Sequence, residues 1–216
     1  MVDRPSNIQL GGSLPMKQSI AIFASGSGSN FDTIALKALG GELPCNVKLL
    51  VCDKPDAPVI QKAETLGIET LVFQPKNFSN KEAYEKMIVQ RLEALEVDWL
   101  ILAGYMRLLG ETMLEAYQGK ILNVHPSLLP SFPGKDAIGQ ALEAKVTVTG
   151  VTIHFVDEGM DTGPIIQQES VDVTPDDDRE SLQRKIQKIE HELYPIVIHR
   201  CVEGEIKPCH KRNVHS

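Results

Sequence analysis

The sequence predicts a three-layer α/β domain built on a mostly parallel, doubly wound, Rossmann-like sheet with an antiparallel strand near one edge. Three observations carry this expectation. Short, continuously apolar runs alternate with amphipathic stretches through the first half of the chain, which is the βαβα rhythm of a sheet covered by helices on both faces. The apolar runs do not alternate with polar residues, as a strand with one wet face would. Two further β runs, late in the chain, lie too close together for a crossover helix, so one of them is expected to run antiparallel.

The strands expected in the first half are SIAIFA (19–24), NVKLLVC (46–52), ETLVF (69–73), DWLILAG (98–104) and KILNV (120–124). Helical patterns fall between them, around 30–40, 57–66, 80–96 and 109–118, with Asn77 or Ser79 placed to cap the third. A proline-rich loop and a helix near 134–144 follow. The two close β runs are TVTGVTIHFV (147–156) and GPIIQQESVDV (163–173). A last helix over about 178–200 starts in DDDRE, an acidic cluster suited to a helix N-terminus. One domain over 17–203 is expected. Residues 1–16 read as a disordered or cloning-derived extension, without the basic-then-apolar pattern of a secretory signal, and 204–216 as a loose tail.

The balance of charge narrows the function. A net charge of −7 argues against nucleic acid as a partner, because phosphate backbones demand a basic face. No apolar stretch approaches the roughly 20 residues of a membrane span. The four cysteines, Cys45, Cys52, Cys201 and Cys209, form no CxxC pair, so they read as reduced cytosolic thiols and no metal site is expected.

Ligands of open parallel sheets bind beyond the carboxyl ends of the strands. Three suggestive stretches fall there: SGSGSN (25–30), NVHPS (123–127) and DEGMDTG (157–163). SGSGSN joins the first strand to the first helix, where glycines and a helix N-terminus suit a phosphate, although a plain tight turn has the same composition. It is not a P-loop, and the third glycine of a dinucleotide fingerprint is replaced by Phe31. Asp53, at the end of the second strand, still stands where a ribose-binding acid of a dehydrogenase would.

In ILNVHPSLLPSFPG (121–134), strand alternation puts Asn123 and His125 on one side and Val124 on the other. Pro126 keeps His125 extended, and Pro130 and Pro133 stiffen the loop. An amide beside a histidine suits a developing oxyanion and proton movement, or the two only hydrogen-bond the loop. No nucleophile elbow is present. Asp161 is the carboxylate best placed in sequence to orient the imidazole, with Asp157 and Glu158 read as turn residues and His154 as a packed or edge histidine.

NVHPSLLPSFPG, DEGMDTGPI and SGSGSN together resemble the phosphoribosylglycinamide formyltransferase family, folate-dependent transformylases of purine synthesis, over about residues 17–202. The resemblance implies transfer of a formyl group from 10-formyltetrahydrofolate, the donor co-substrate, to the amine of glycinamide ribonucleotide, by direct attack and without a metal. It implies Asn123, His125 and Asp161 as the catalytic trio. It implies Gly28, Ser29, Asn30 and Glu190 at the ribonucleotide, and Lys81, Met106, Arg107, Leu108, Leu109 and Asn123 at the folate. Lys81 stands where relatives often carry arginine, which loses a bidentate fork. Small-molecule substrates, a cytoplasmic location and a monomer or homodimer are implied as well. The alternative is a stand-alone formyltetrahydrofolate deformylase. That enzyme would usually carry an N-terminal regulatory domain, and methionyl-tRNA formyltransferase a further C-terminal one. Neither is expected here.

Overall fold

The structure is a computed structural model describing residues 17–207. The expected extension at 1–16, Cys209 and the tail from 208 lie outside the described residues. Strand β1 (Gln18–Phe23) leads to helix α1 (Ser29–Leu39), then β2 (Cys45–Cys52), α2 (Val59–Thr65) and β3 (Glu69–Val72). A single 3-10 turn at Pro75–Asn77 precedes α3 (Lys81–Ala94), β4 (Trp99–Leu102), α4 (Glu111–Ala116) and β5 (Ile121–His125). The chain continues through α5 (Ala137–Glu143), β6 (Val148–Phe155), β7 (Ile165–Asp172) and α6 (Arg179–Val202).

The seven strands form one sheet in the order β3-β2-β1-β4-β5-β6-β7. Strands β1 to β5 are mutually parallel, and β6 is antiparallel to both β5 and β7, so the reversed strand sits next to the edge as expected. Alternation along β1 shows why both faces must be covered. Ile20 and Ile22 join a core with α1, α2 and α6, while Ala21 and Phe23 join a second core with α3 and α4. All four are fully buried. Burying a side chain the size of Ile or Phe is worth about 1.5–3 kcal/mol, and neither face could be left wet.

Helix ends follow from local chemistry. Asp178 caps α6 by accepting from Ser181 N at 2.7 Å, while Ser181 Oγ accepts from Asp178 N at 3.0 Å, a reciprocal box. Helix α3 is capped by Asn80, which accepts from Ala83 N at 2.9 Å, in place of the expected Asn77 or Ser79. Pro75 starts a 3-10 turn that holds Asn77, so the α-helix begins later than the polar cluster suggests. Residues 204–207 are not loose either. Glu205 N and Ile206 N both donate to Arg200 O, and Ile206 packs on the core.

The strand order reverses direction between β1 and β4, and there the helices diverge to leave a crevice at the carboxyl edge. Its floor is braced by Tyr194 of α6, whose fully buried hydroxyl lies 3.0 Å from Leu102 O and 3.1 Å from Leu122 O, at the ends of β4 and β5.

Candidate active site

A cavity of about 530 Å³ occupies this crevice. It brings together all three stretches singled out in the sequence. Gly28, Ser29, Asn30 and Glu190 line one arm, Met106 to Leu109 the other, and Asn123, His125 and Asp161 lie among the lining residues as well.

The first arm begins where β1 hands over to α1. Gly28 is the N-cap of α1, with φ +74°, and no side chain caps the helix. A Cβ at this position would lie 2.4 Å from Val59 Cγ2, so the chain's own geometry demands glycine here. The uncapped first turn leaves N–H groups available to an anion. Phe31, at the place of a dinucleotide-binding glycine, is fully buried and packs α1 against the sheet. Asn30 Nδ2 donates to Glu190 Oε2 at 2.8 Å, while Asn30 Oδ1 is buried without a partner. Burial pushes the Glu190 carboxyl up to about 7, against the opposing pull of the Asn30 hydrogen bond.

The second arm is the loop after β4. Met106 and Leu108 are exposed apolar side chains, and Met160 faces the same cavity from the turn before β7. Arg107 lines the cavity, but its guanidinium is engaged: Nε donates to Asp53 Oδ2 at 2.7 Å. Asp53 also accepts from Ser25 Oγ at 2.5 Å. It is therefore occupied within the protein, which removes the ribose-binding part expected of a dehydrogenase. Lys81 does not reach the lining. It begins α3, its Nζ lies 4.0 Å from Glu85 Oε1, and Glu85 in turn accepts from Gly110 N at 2.7 Å. Lys135 was not singled out by sequence, and it lines the cavity with an exposed side chain.

At the centre, β5 presents Asn123 and His125 as alternation requires, with Val124 in the core behind. The proline loop that follows is fastened to β6 and β7. Thr152 Oγ1 donates to Ser127 O at 2.7 Å and accepts from Leu129 N at 3.0 Å, and Gln168 Nε2 donates to Leu129 O at 2.9 Å. His125 is 5% exposed. Its Nε2 lies 2.8 Å from Phe132 O, and a carbonyl can only accept, so Nε2 carries a proton. Its Nδ1 lies 3.4 Å from Asp161 Oδ2. Asp161 adopts φ +56°, an uncommon conformation for a non-glycine residue, and is held there by Gly134 N, which donates to Oδ2 at 2.7 Å.

His154 is packed as expected, 2% exposed, and it also lines the cavity, which the sequence reading did not anticipate. It pairs with Asn123 across the β5–β6 ladder. Its Nδ1 donates to Phe155 O at 2.7 Å, which leaves Nε2 to accept from Asn123 Nδ2 at 3.1 Å. Burial lowers its pKa against the raising effects of the Phe155 O bond and of nearby Asp161, which favours the neutral ring that this bond needs. Asp157, by contrast, is the turn residue expected, accepting from Gly159 N and Thr162 Oγ1.

A mostly parallel sheet with Asn123, His125 and Asp161 lining the cavity at its carboxyl edge agrees with sequence comparison: the chain belongs to the formyl transferase family, whose profile matches residues 18–198. Its relatives within that family include phosphoribosylglycinamide formyltransferases. It is 51% identical to the one from Bacillus subtilis (strain 168), over 84% of this chain and 93% of that protein. Glycinamide ribonucleotide transformylase 1 from Geobacillus kaustophilus is 53% identical with a TM-score of 0.84, covering 86% of this chain and 99% of its own. The enzyme of the same name from Symbiobacterium toebii superposes with a TM-score of 0.86 at 40% identity, over 90% of this chain and 93% of its own.

Proposed function

We propose that this chain transfers the formyl group of 10-formyltetrahydrofolate to the amine of glycinamide ribonucleotide, a step of purine biosynthesis. The observation that carries the reading is the single cavity in which the open α1 N-terminus, the Met106–Leu109 loop and the Asn123–His125–Asp161 group meet. Two arms joined at a polar centre suit two substrates that must exchange a one-carbon unit.

In this reading the ribonucleotide phosphate takes the N–H groups of the first turn of α1, from Gly28 to Asn30. Glu190 and the unpartnered Asn30 Oδ1 accept from the hydroxyl or amide donors of the same substrate, which supplies the buried oxygen with the partner it lacks. Met106, Leu108 and Leu109 cover the apolar face of the folate. Lys81, which lies outside the cavity lining, has no direct contact in this reading.

The neutral amine attacks the formyl carbon. The new C–N bond forms as the carbonyl electron pair moves to oxygen. That oxyanion is stabilised by Asn123 Nδ2, whose second hydrogen remains free while His154 takes the first, and by the protonated Nδ1 edge of His125. Asp161 Oδ2, 3.4 Å from His125 Nδ1, orients the imidazole. The tetrahedral intermediate collapses with loss of the folate nitrogen, and the proton shed by the amine is passed to that nitrogen through His125 or a water beside it. Donors fixed in place before charge develops supply much of the rate acceleration in acyl transfer, because they need not reorganise as the oxyanion forms.

The test is a two-substrate assay. Formyl-folate alone should be turned over slowly, and glycinamide ribonucleotide should switch turnover on, with one formylated ribonucleotide per folate consumed. Formate released at one rate with or without the ribonucleotide would instead make the chain a formyltetrahydrofolate hydrolase.

A further inference from the structure

Asp53 closes β2 behind the cavity and is absent from its lining. Its side chain is only 3% exposed, and both carboxylate oxygens are committed, Oδ1 to Ser25 Oγ and Oδ2 to Arg107 Nε. These partners belong to different arms of the site. Ser25 opens the SGSGSN segment, and Arg107 lies in the Met106–Leu109 loop. The two arms are tied a second and third time through Ser25, whose N–H donates to Gly104 O at 3.1 Å and whose Oγ accepts from Met106 N at 3.0 Å. Ser25 Oγ thus uses its one proton on Asp53 and a lone pair on Met106, so the carboxylate sets the direction of the hydroxyl.

We propose that Asp53 is a positioning residue that couples the two substrate arms, holding the ribonucleotide loop and the folate loop in one mutual geometry through Ser25 and Arg107. The proposal rests on the two-substrate reading above for its kinetic consequence, but not for its structural one. Removing Arg107 would leave the buried Asp53 carboxylate uncompensated, so the carboxylate holds the guanidinium in place. That property makes the pair a lock between segments otherwise joined through Ser25, by its N–H to Gly104 O and its Oγ to Met106 N. It also explains why Arg107, 40% exposed, is held against the wall and not swung into solvent.

The experiment uses Asp53→Asn, which keeps an oxygen for Ser25 and removes the charge, and Ser25→Ala, which removes only the hydroxyl and serves if the first variant folds poorly. Hydrogen exchange should quicken in both segments, 25–30 and 104–109, by roughly tenfold or more in either variant, while β6 and α6 are unchanged. Kinetically, Asp53→Asn should raise KM for both substrates by roughly 5- to 50-fold with kcat reduced less than about fivefold. Adding Asp53→Asn to Arg107→Leu should cost little more than Arg107→Leu alone. Quickened exchange in one segment only, or throughout the protein, would overturn the coupling. So would a fall in kcat with both KM values unchanged. If wild-type protein shows no ribonucleotide-dependent turnover, the functional reading fails, and the exchange result still decides the lock.

Discussion

Asn123 Nδ2 donates to His154 Nε2 at 3.1 Å across a β5–β6 pair that the ladder places directly opposite. The bond fixes which end of the Asn123 amide faces the cavity. Without an acceptor at position 154, the amide would be free to flip and present oxygen to a developing negative charge.

His154→Leu should therefore lower kcat by roughly tenfold, the effect of about 1.4 kcal/mol from one lost hydrogen bond to a half-buried amide. Gln at 154, which offers an acceptor, should recover part of the loss. Steady-state kinetics of the two variants check this, and equal activity of Leu and wild type would leave His154 a packing residue.

Asp161→Asn is the sharpest test of the carboxylate. Asparagine tolerates positive φ and keeps an oxygen for Gly134 N, so the turn should survive while the charge beside His125 Nδ1 is lost. A fall in kcat of roughly 10²–10⁴ is expected, the span of a residue in acid–base catalysis. Near-normal turnover with unchanged thermal stability would reduce Asp161 to a turn residue.

Gly28 and Gly26 provide an internal contrast. Gly28→Ala forces a Cβ against Val59 at φ +74° and should cost about 1 kcal/mol or more of stability, together with ribonucleotide affinity. A Cβ on Gly26 meets nothing within 4 Å, so Gly26→Ala should leave stability nearly unchanged. Denaturant melts and calorimetric titration with the ribonucleotide read the difference. The damage at Gly28 comes first from the fold and only then from obstruction of a phosphate.

Glu190 predicts a pH dependence. Its carboxyl titrates near 4.5 when unfolded and about 7 when folded, because burial disfavours the anion. Between those values the folded protein keeps a proton that the unfolded chain has released. Stability should thus fall as pH rises through this window and stay reduced above it, by on the order of 3 kcal/mol. Glu190→Gln removes the ionisation and can still accept from Asn30. Its Tm should exceed wild type by several degrees at pH 8 and match it near pH 4.5. A gain of equal size at both pH values would show that ionisation is not the cause.

Much of this protein was legible from neighbouring residues alone. Apolar runs and their spacing located the strands and α-helices of the described residues; burial on both faces leaves its signature in central strands such as β1 and β4, whereas the edge strands β3 and β7 are largely exposed. Alternation in ILNVH placed Asn123 and His125 on one side, and the DEGMDTG turn delivered Asp161, since these depend on backbone geometry a few residues long. The tertiary structure decided what those residues meet. Asn30 finds Glu190 across 160 residues, Arg107 finds Asp53 across 54, and Asn123 finds His154 across 31. No periodicity encodes such pairs. They exist because strand order brings the ends of β1, β2, β4, β5 and β6 to one edge and because a buried polar group must find whatever partner that edge supplies. That is why Asp53, read alone, pointed to a ribose, and why His154 read as mere packing.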